Sequence, residues 1–221
     1  MKIKICGITR PEEIEYLNEY APDFAGFVFY GPSKRNVTIE QAVSLANRLS
    51  EDIRRVAVMV SPEPGDIIKI QETGVFDIIQ VHRKLSDKVL ECAKLPVWYA
   101  VNIEGDMEEA VKNAIGEIPE ACRDKISGIV ADAKDFGSGK TFNWHKSKRM
   151  LKAGTRSPAD KYSFILAGGL NPENVSEGIR IFAPDVVDVS SGVEGTDGKD
   201  KVKISAFIQA VRSYERMDQD E

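Results

Sequence analysis

Residues 162–192 read YSFILAGGLNPENVSEGIRIFAPDVVDVSSG. Two apolar runs, Tyr162–Ala167 and Asp185–Ser190, bracket a segment that opens with Asn171-Pro172-Glu173. Each run is apolar at successive positions, the pattern of strands covered on both faces in a parallel sheet. Proline in a first helical turn, beside an acidic residue, marks a helix start between them. The stretch reads as strand, helix, strand. Gly168-Gly169 stands just after the first strand, and Ser191-Gly192 just after the second.

The same unit repeats toward the N-terminus. Further strands are expected at Lys2–Cys6, Phe24–Phe29, Arg54–Val60, Phe76–Val81, Val97–Asn102 and Ile126–Ala131, which makes eight. Apolar stripes at i, i+3, i+4, i+7 lie between or after them: Ile39, Ala42, Val43 and Ala46; Met107, Ala110, Val111 and Ala114; Ile204, Phe207, Ile208 and Val211. Such stripes pack helices onto a sheet. Pro11-Glu12-Glu13 marks another helix start. The sixth helix is expected at Trp144–Lys152, with a surface loop at Ala153–Lys161. Strand starts recur roughly every 20–36 residues, the size of one βα unit. The 221 residues fit one closed barrel, a fold of roughly 200–250 residues. The fold class is therefore α/β, a single-domain (βα)8 TIM barrel over residues 1–215, with a polar tail at 216–221 expected to fray. An open doubly wound sheet is the alternative. Its dinucleotide fingerprint GxGxxG is not found after the first strand, where Cys6-Gly7-Ile8-Thr9 stands.

Composition narrows the function. The chain is 42% hydrophobic and 29% charged, with net charge −5. That balance disfavours nucleic-acid binding, which needs a basic footprint, but permits a local pocket for a small anion. No secretory leader is read at Met1-Lys2-Ile3-Lys4, and no apolar run approaches the ~18 residues of a membrane span. The expectation is a cytoplasmic protein without membrane contact. Cys6, Cys92 and Cys122 are scattered, as are His82 and His145, so neither a disulfide framework nor a metal site is expected.

In such a barrel the chemistry sits where strands end. Cys6 ends the first strand, and Lys4 shares its face because strand periodicity is two. A lone cysteine is more often an inert small hydrophobe. The functional reading is a thiolate base, which needs a pKa lowered by nearby cations. After the second strand, Ser33-Lys34-Arg35 offers a planar guanidinium for a carboxylate, or plain surface charge. Asp132 follows an apolar run. Desolvation there would raise its pKa and suit a general acid, whereas the structural alternative is a cap or ion pair. Gly137-Ser138-Gly139 reads as a flexible loop and does not fit a P-loop. A glycine pair at Gly168-Gly169 and Ser191-Gly192 after the last strand together suit a phosphate, since barrels commonly build phosphate sites from these two loops.

Taken together, Lys4-Ile5-Cys6-Gly7-Ile8-Thr9, Gly26-Phe27-Val28-Phe29, Ser33-Lys34-Arg35, Gln80-Val81-His82, Gly137 through Trp144, Leu166 through Val175 and Val187 through Glu194 resemble the phosphoribosylanthranilate isomerase family. The resemblance spans nearly the whole chain. It implies an Amadori rearrangement of N-(5-phosphoribosyl)anthranilate in tryptophan biosynthesis, on a small phosphorylated substrate and without cofactor or metal. It makes Cys6 the general base and Asp132 the general acid. Arg35 would bind the anthranilate carboxylate. Gly168, Gly169, Ser191 and Gly192 would bind the phosphate, and Asp188 would position a substrate hydroxyl or brace the backbone. Oligomeric state, monomer or homodimer, stays open.

Three departures from the family pattern stand out. Arg83 and Lys84 follow His82 where a glycine is usual, and sit on the surface or add to anion attraction. Ala131 precedes the acid where a bulkier residue is usual. Asn143 replaces a frequent aspartate that caps the sixth helix, a role Asn also fills. His82 either lines the mouth or satisfies hydrogen bonds at the strand end, the second being favoured. Two other functions are weighed. A histidine-pathway aminoaldose isomerase is disfavoured because its resembling members carry Asp, not Cys, at the first strand end. A non-catalytic phosphometabolite-binding barrel would need neither Cys6 nor Asp132.

Overall fold

The computed structural model describes residues 1–103, 107–133 and 161–219. Eight parallel strands close on themselves in sequence order: β1 (Lys2–Cys6), β2 (Phe24–Phe29), β3 (Arg54–Val60), β4 (Ile78–His82), β5 (Val97–Ile103), β6 (Ile126–Ala133), β7 (Ser163–Leu166) and β8 (Val186–Val189). The expected helix at Trp144–Lys152, the loop at Gly137-Ser138-Gly139 and all of Ala153–Lys161 except Lys161 lie outside the described residues. The helices described are α1 (Pro11–Tyr20), α2 (Ile39–Ala46), α3 (Pro64–Glu72), α4 (Asp87–Cys92), α5 (Met107–Gly116), α6 (Val175–Phe182) and α7 (Lys201–Gln219). Among the described residues, no helix is long and apolar enough to cross a membrane.

Strand ends differ from expectation for a local reason. Asp23, Asp77 and Asp185 each stand just before an even-numbered strand, and each accepts a backbone amide of the preceding strand: Ile3 N at 2.8 Å, Arg55 N at 2.7 Å and Phe164 N at 2.7 Å. A buried N–H must find an acceptor, and these carboxylates supply it below the ladder. The fourth strand therefore starts at Ile78 rather than Phe76, and the eighth at Val186 rather than Asp185. The helix expected from Asn171-Pro172-Glu173 starts later, at Val175. Asn171 Oδ1 takes the amides of Glu173 and Asn174, each at 3.0 Å, and holds a turn there instead. At the other end, α7 continues through Gln219, past the start of the expected tail.

The core has two parts. Outward-facing residues such as Ile3, Ile5, Phe27, Ile79 and Val187 pack under the helices with Leu17, Phe182 and Phe207. Inward-facing residues form a separate cluster of Phe24, Val28, Val56, Val58, Ile78, Trp98, Val130, Ile165 and Val186. Phe24 meets Trp98 edge to face, with ring centroids 4.9 Å apart. Gly128 makes room for that indole, since a Cβ there would come within 2.7 Å of Trp98 Cδ1.

Candidate active site

Strand alternation decides what reaches the interior. Counting by twos along each strand from the inward Phe24, Ile78, Val130 and Val186 leads to Val28, His82, Asp132 and Asp188. On β1 the inward positions are Lys4 and Cys6, and Lys4 lies in register with Asp188. The β-strand period thus brings Lys4, Cys6, Gln80, His82, Asp132 and Asp188 to one end of the barrel. All six are buried.

All but Lys4 line a cavity of about 630 Å³. Its walls include Cys6, Arg35, Asp132, Gly168, Gly169, Asp188 and Ser191, seven of the eight residues expected from sequence. Gly192 is not in the wall. It stands behind it, where an added Cβ would lie 2.0 Å from Leu170 O. That contact lets the loops after β7 and β8 close on each other. Gly168 and Gly169 both have positive φ, 82° and 70°, a backbone that residues with a Cβ rarely adopt. Asn174 steadies the same loop by donating Nδ2–H to Gly169 O at 3.0 Å. A second cavity, of about 660 Å³, opens at the opposite end of the strands. Its cations, Lys2, Arg54 and Lys161, are exposed, and it lies away from the strand ends that carry the chemistry.

Lys4 is fully buried and holds Asp188 Oδ2 at 2.7 Å. Burial works against its ammonium, but Asp188 and the neighbouring Cys6 outweigh this and hold its pKa above the ordinary lysine value. Gly26 accommodates the pair, since a Cβ there would meet Cys6 Sγ at 2.8 Å and Lys4 Cε at 3.2 Å. The sequence leaves the pKa of Cys6 open, and its surroundings give it a direction. Burial pushes its thiol above the ordinary cysteine value; Lys4 and Lys199 pull it down, Asp188 pushes it up, and the net shift is upward. The cations are present, but desolvation wins.

His82 is likewise kept neutral. Burial, then the charges of Lys4 and Arg83, lower its pKa to about 3. Its Nε2 lies 2.7 Å from Gln80 Nε2, in keeping with the hydrogen-bonding role favoured for it, and it also faces the cavity. Two buried acceptors, Gln80 Oε1 and Asp188 Oδ1, have no hydrogen-bond partner among the described residues. Gln80 and Asp188 both line the cavity, and such acceptors are costly unless something donates to them.

Arg35 is placed by features that sequence reading missed. Its Nε and Nη2 both donate to the carboxylate of Glu194, the latter at 3.1 Å. Lys34 and buried Lys199 each reach the same carboxylate at 2.9 Å. Burial opposes ionisation of Glu194, but Arg35, Lys199 and Lys34 overcome it and hold its pKa well below the ordinary carboxylate range. The Arg35 side chain crosses over Gly7, where a Cβ would lie 2.5 Å from Arg35 Cδ. Lys199 in turn donates its backbone N–H to buried Glu13 at 2.7 Å, and Glu13 accepts the amides of Thr9 and Arg10. One charge network thus ties together the loops after β1, β2 and β8. The position of Glu194, straight after Ser190-Ser191-Gly192-Val193, is the one signal in the sequence that pointed to it.

Comparisons with known proteins show the family and the fold. The family model for N-(5'-phosphoribosyl)anthranilate (PRA) isomerase matches residues 3–210. The chain belongs to the PRA isomerase family. The N-(5'-phosphoribosyl)anthranilate isomerase of Thermoanaerobacter pseudethanolicus is 39% identical over 217 residues, covering 96% of this chain and 98% of that one. The phosphoribosyl anthranilate isomerase of Thermotoga maritima superposes with a TM-score of 0.78 at 31% identity, covering 96% of this chain and 99% of its own. A PRA isomerase solved with reduced 1-(o-carboxyphenylamino)-1-deoxyribulose 5-phosphate superposes at 0.75, also with 31% identity and coverage of 96% and 99%.

Proposed function

We propose that the barrel isomerises N-(5-phosphoribosyl)anthranilate to 1-(2-carboxyphenylamino)-1-deoxyribulose 5-phosphate, with Asp132 as general acid and Cys6 as general base. The observation that carries this is the meeting of Cys6 and Asp132 in one cavity with the positive-φ glycines of the β7 loop. The substrate phosphate rests on Gly168, Gly169 and Ser191, with Gly192 holding the two loops together. Its ring hydroxyls donate to Asp188 Oδ1 and Gln80 Oε1, the two buried acceptors.

The reaction then needs two proton transfers. Asp132 gives a proton to the furanose ring oxygen as the bond from C1 to that oxygen breaks. The lone pair on the anthranilate nitrogen forms the C=N bond, leaving a protonated imine. The Cys6 thiolate removes the C2 proton, and the electron pair moves toward nitrogen, giving an enolamine. Tautomerisation to the ketone completes the Amadori rearrangement. The substrate nitrogen is the electron sink, so the chemistry calls for no redox cofactor.

The raised thiol pKa has a defined consequence. Only the ionised fraction of Cys6 is a base, and a higher pKa makes that fraction smaller but more basic. Lys4, buried against Cys6 and Asp188, limits the upward shift. A thiol base also needs a reducing compartment, which supports a cytoplasmic setting.

The test is decay of anthranilate-type fluorescence in freshly made phosphoribosylanthranilate, with wild type, Cys6→Ser and Asp132→Asn, in EDTA. Wild type is expected to be fast and unaffected by EDTA, and each variant slower by roughly 10²–10⁴-fold, the range for one acid–base group. No decay with wild type, while phosphate ligands still bind, sinks the isomerase reading in favour of a binding barrel. Full activity in one variant removes that residue's role and keeps the reaction.

A further inference from the structure

Arg83 follows β4 directly and has φ +62°, a conformation that a residue with a Cβ rarely takes. The backbone on both sides imposes it. Ser61 N donates to His82 O at 3.0 Å, and Lys84 N donates to Ser61 Oγ at 3.3 Å. The turn directs Arg83 to the mouth of the same cavity. Its guanidinium lies 5.9 Å from the ring centroid of Tyr30, another wall residue. A guanidinium lying on an aromatic face keeps its edge N–H groups for a planar anion.

The charge balance of the mouth favours a role for it. Arg35, the expected carboxylate ligand, already spends two nitrogens on Glu194. Arg83 pairs with no carboxylate among the described residues. We propose that Arg83, backed by Tyr30, is a second carboxylate-binding arm, which shares with Arg35 the ring carboxylate of the substrate's aromatic amine. This rests on the isomerase reading above and adds a specificity-determining residue to it. Strain at a binding residue is held in place by its surroundings, and here the Ser61 hydrogen bonds do the holding.

Arg83→Gly tests this without threatening the fold, because glycine takes φ +62° freely. The expected result is a KM for phosphoribosylanthranilate raised about tenfold, the worth of one charged hydrogen bond, with kcat near wild type. Binding of reduced 1-(2-carboxyphenylamino)-1-deoxyribulose 5-phosphate should weaken in step. The same compound without the ring carboxylate should bind wild type and variant equally. Arg83→Lys, which keeps charge but loses the planar fork, should fall between. An unchanged KM in Arg83→Gly, or equal weakening of the carboxylate-free compound, overturns the arm while wild-type turnover keeps the isomerase reading. No turnover by wild type sinks that reading and this assignment with it.

Discussion

Inside the barrel, Phe24, Ile78, Trp98 and Val186 fill the end where strands begin, and Lys4, Cys6, Gln80, His82, Asp132 and Asp188 crowd the end where strands finish. The same strands supply both sets, often two or four residues apart: Ile78 and His82 on β4, Val186 and Asp188 on β8. Changing a strand's last inward positions from apolar to polar therefore converts packing into chemistry without altering the backbone. The apolar end tolerates burial with no partners. At the polar end each buried charge needs a counter-charge, as the Lys4–Asp188 pair shows.

The comparison predicts its largest effect at Trp98. Trp98→Ala empties the apolar end beside Phe24 and Gly128, and large aromatic-to-alanine changes in cores cost about 3–5 kcal/mol. Urea unfolding should show that loss, while kcat per folded molecule stays near wild type. Cys6→Ser and Asp132→Asn should give the mirror image, a large fall in kcat with little change in the unfolding midpoint. If the folded fraction of Trp98→Ala loses turnover as severely as Cys6→Ser does, the two ends are not separable in function.

A second consequence is that the polar end makes stability depend on pH. His82 takes up a proton near its ordinary pKa of 6.5 when unfolded but resists to about 3 when folded. Between those values the unfolded chain binds more protons, so stability falls as pH drops below 6.5, by up to about 1.4 kcal/mol per pH unit. His82→Gln should remove that slope. Unfolding measured between pH 5 and 6.5, above the range in which carboxylates titrate, isolates the effect. Parallel slopes for wild type and variant would mean that the folded imidazole takes up its proton as readily as the unfolded one.

How much of this was legible in the sequence follows the same division. Strands buried on both faces announce themselves as apolar runs, so all eight were readable, with Asp77 and Asp185 shifting two starts. Cys6 and Asp132 were readable because each stands at a strand end, and Lys4 because it stands two residues from Cys6. What failed to show was anything that depends on closure of the barrel. The direction of the Cys6 shift comes from desolvation, which strand periodicity does not report. The Arg35–Glu194 contact joins residues 159 positions apart, and the Lys199–Glu13 contact joins residues 186 apart. Glu13 looked like an ordinary first-turn acid beside Pro11, yet it is fully buried and holds two loops.

The smallest effect separates the catalytic face from the catalytic site. Thr38 begins α2 only three positions beyond Arg35, on the same rim of the barrel, but outside the wall of the cavity. Its hydroxyl accepts the Gln41 amide at 3.2 Å, and Gln41 Oε1 accepts the Thr38 amide at 3.0 Å, a reciprocal capping box. Thr38→Ala removes the hydroxyl half of that exchange and should cost about 1 kcal/mol of stability. KM and kcat should not move, because the bonds that hold Arg35 run to Glu194 and not to the helix cap. A raised KM in Thr38→Ala would show that the start of α2 sets the guanidinium's position, and would extend the functional region from the strand ends to the helix that follows them.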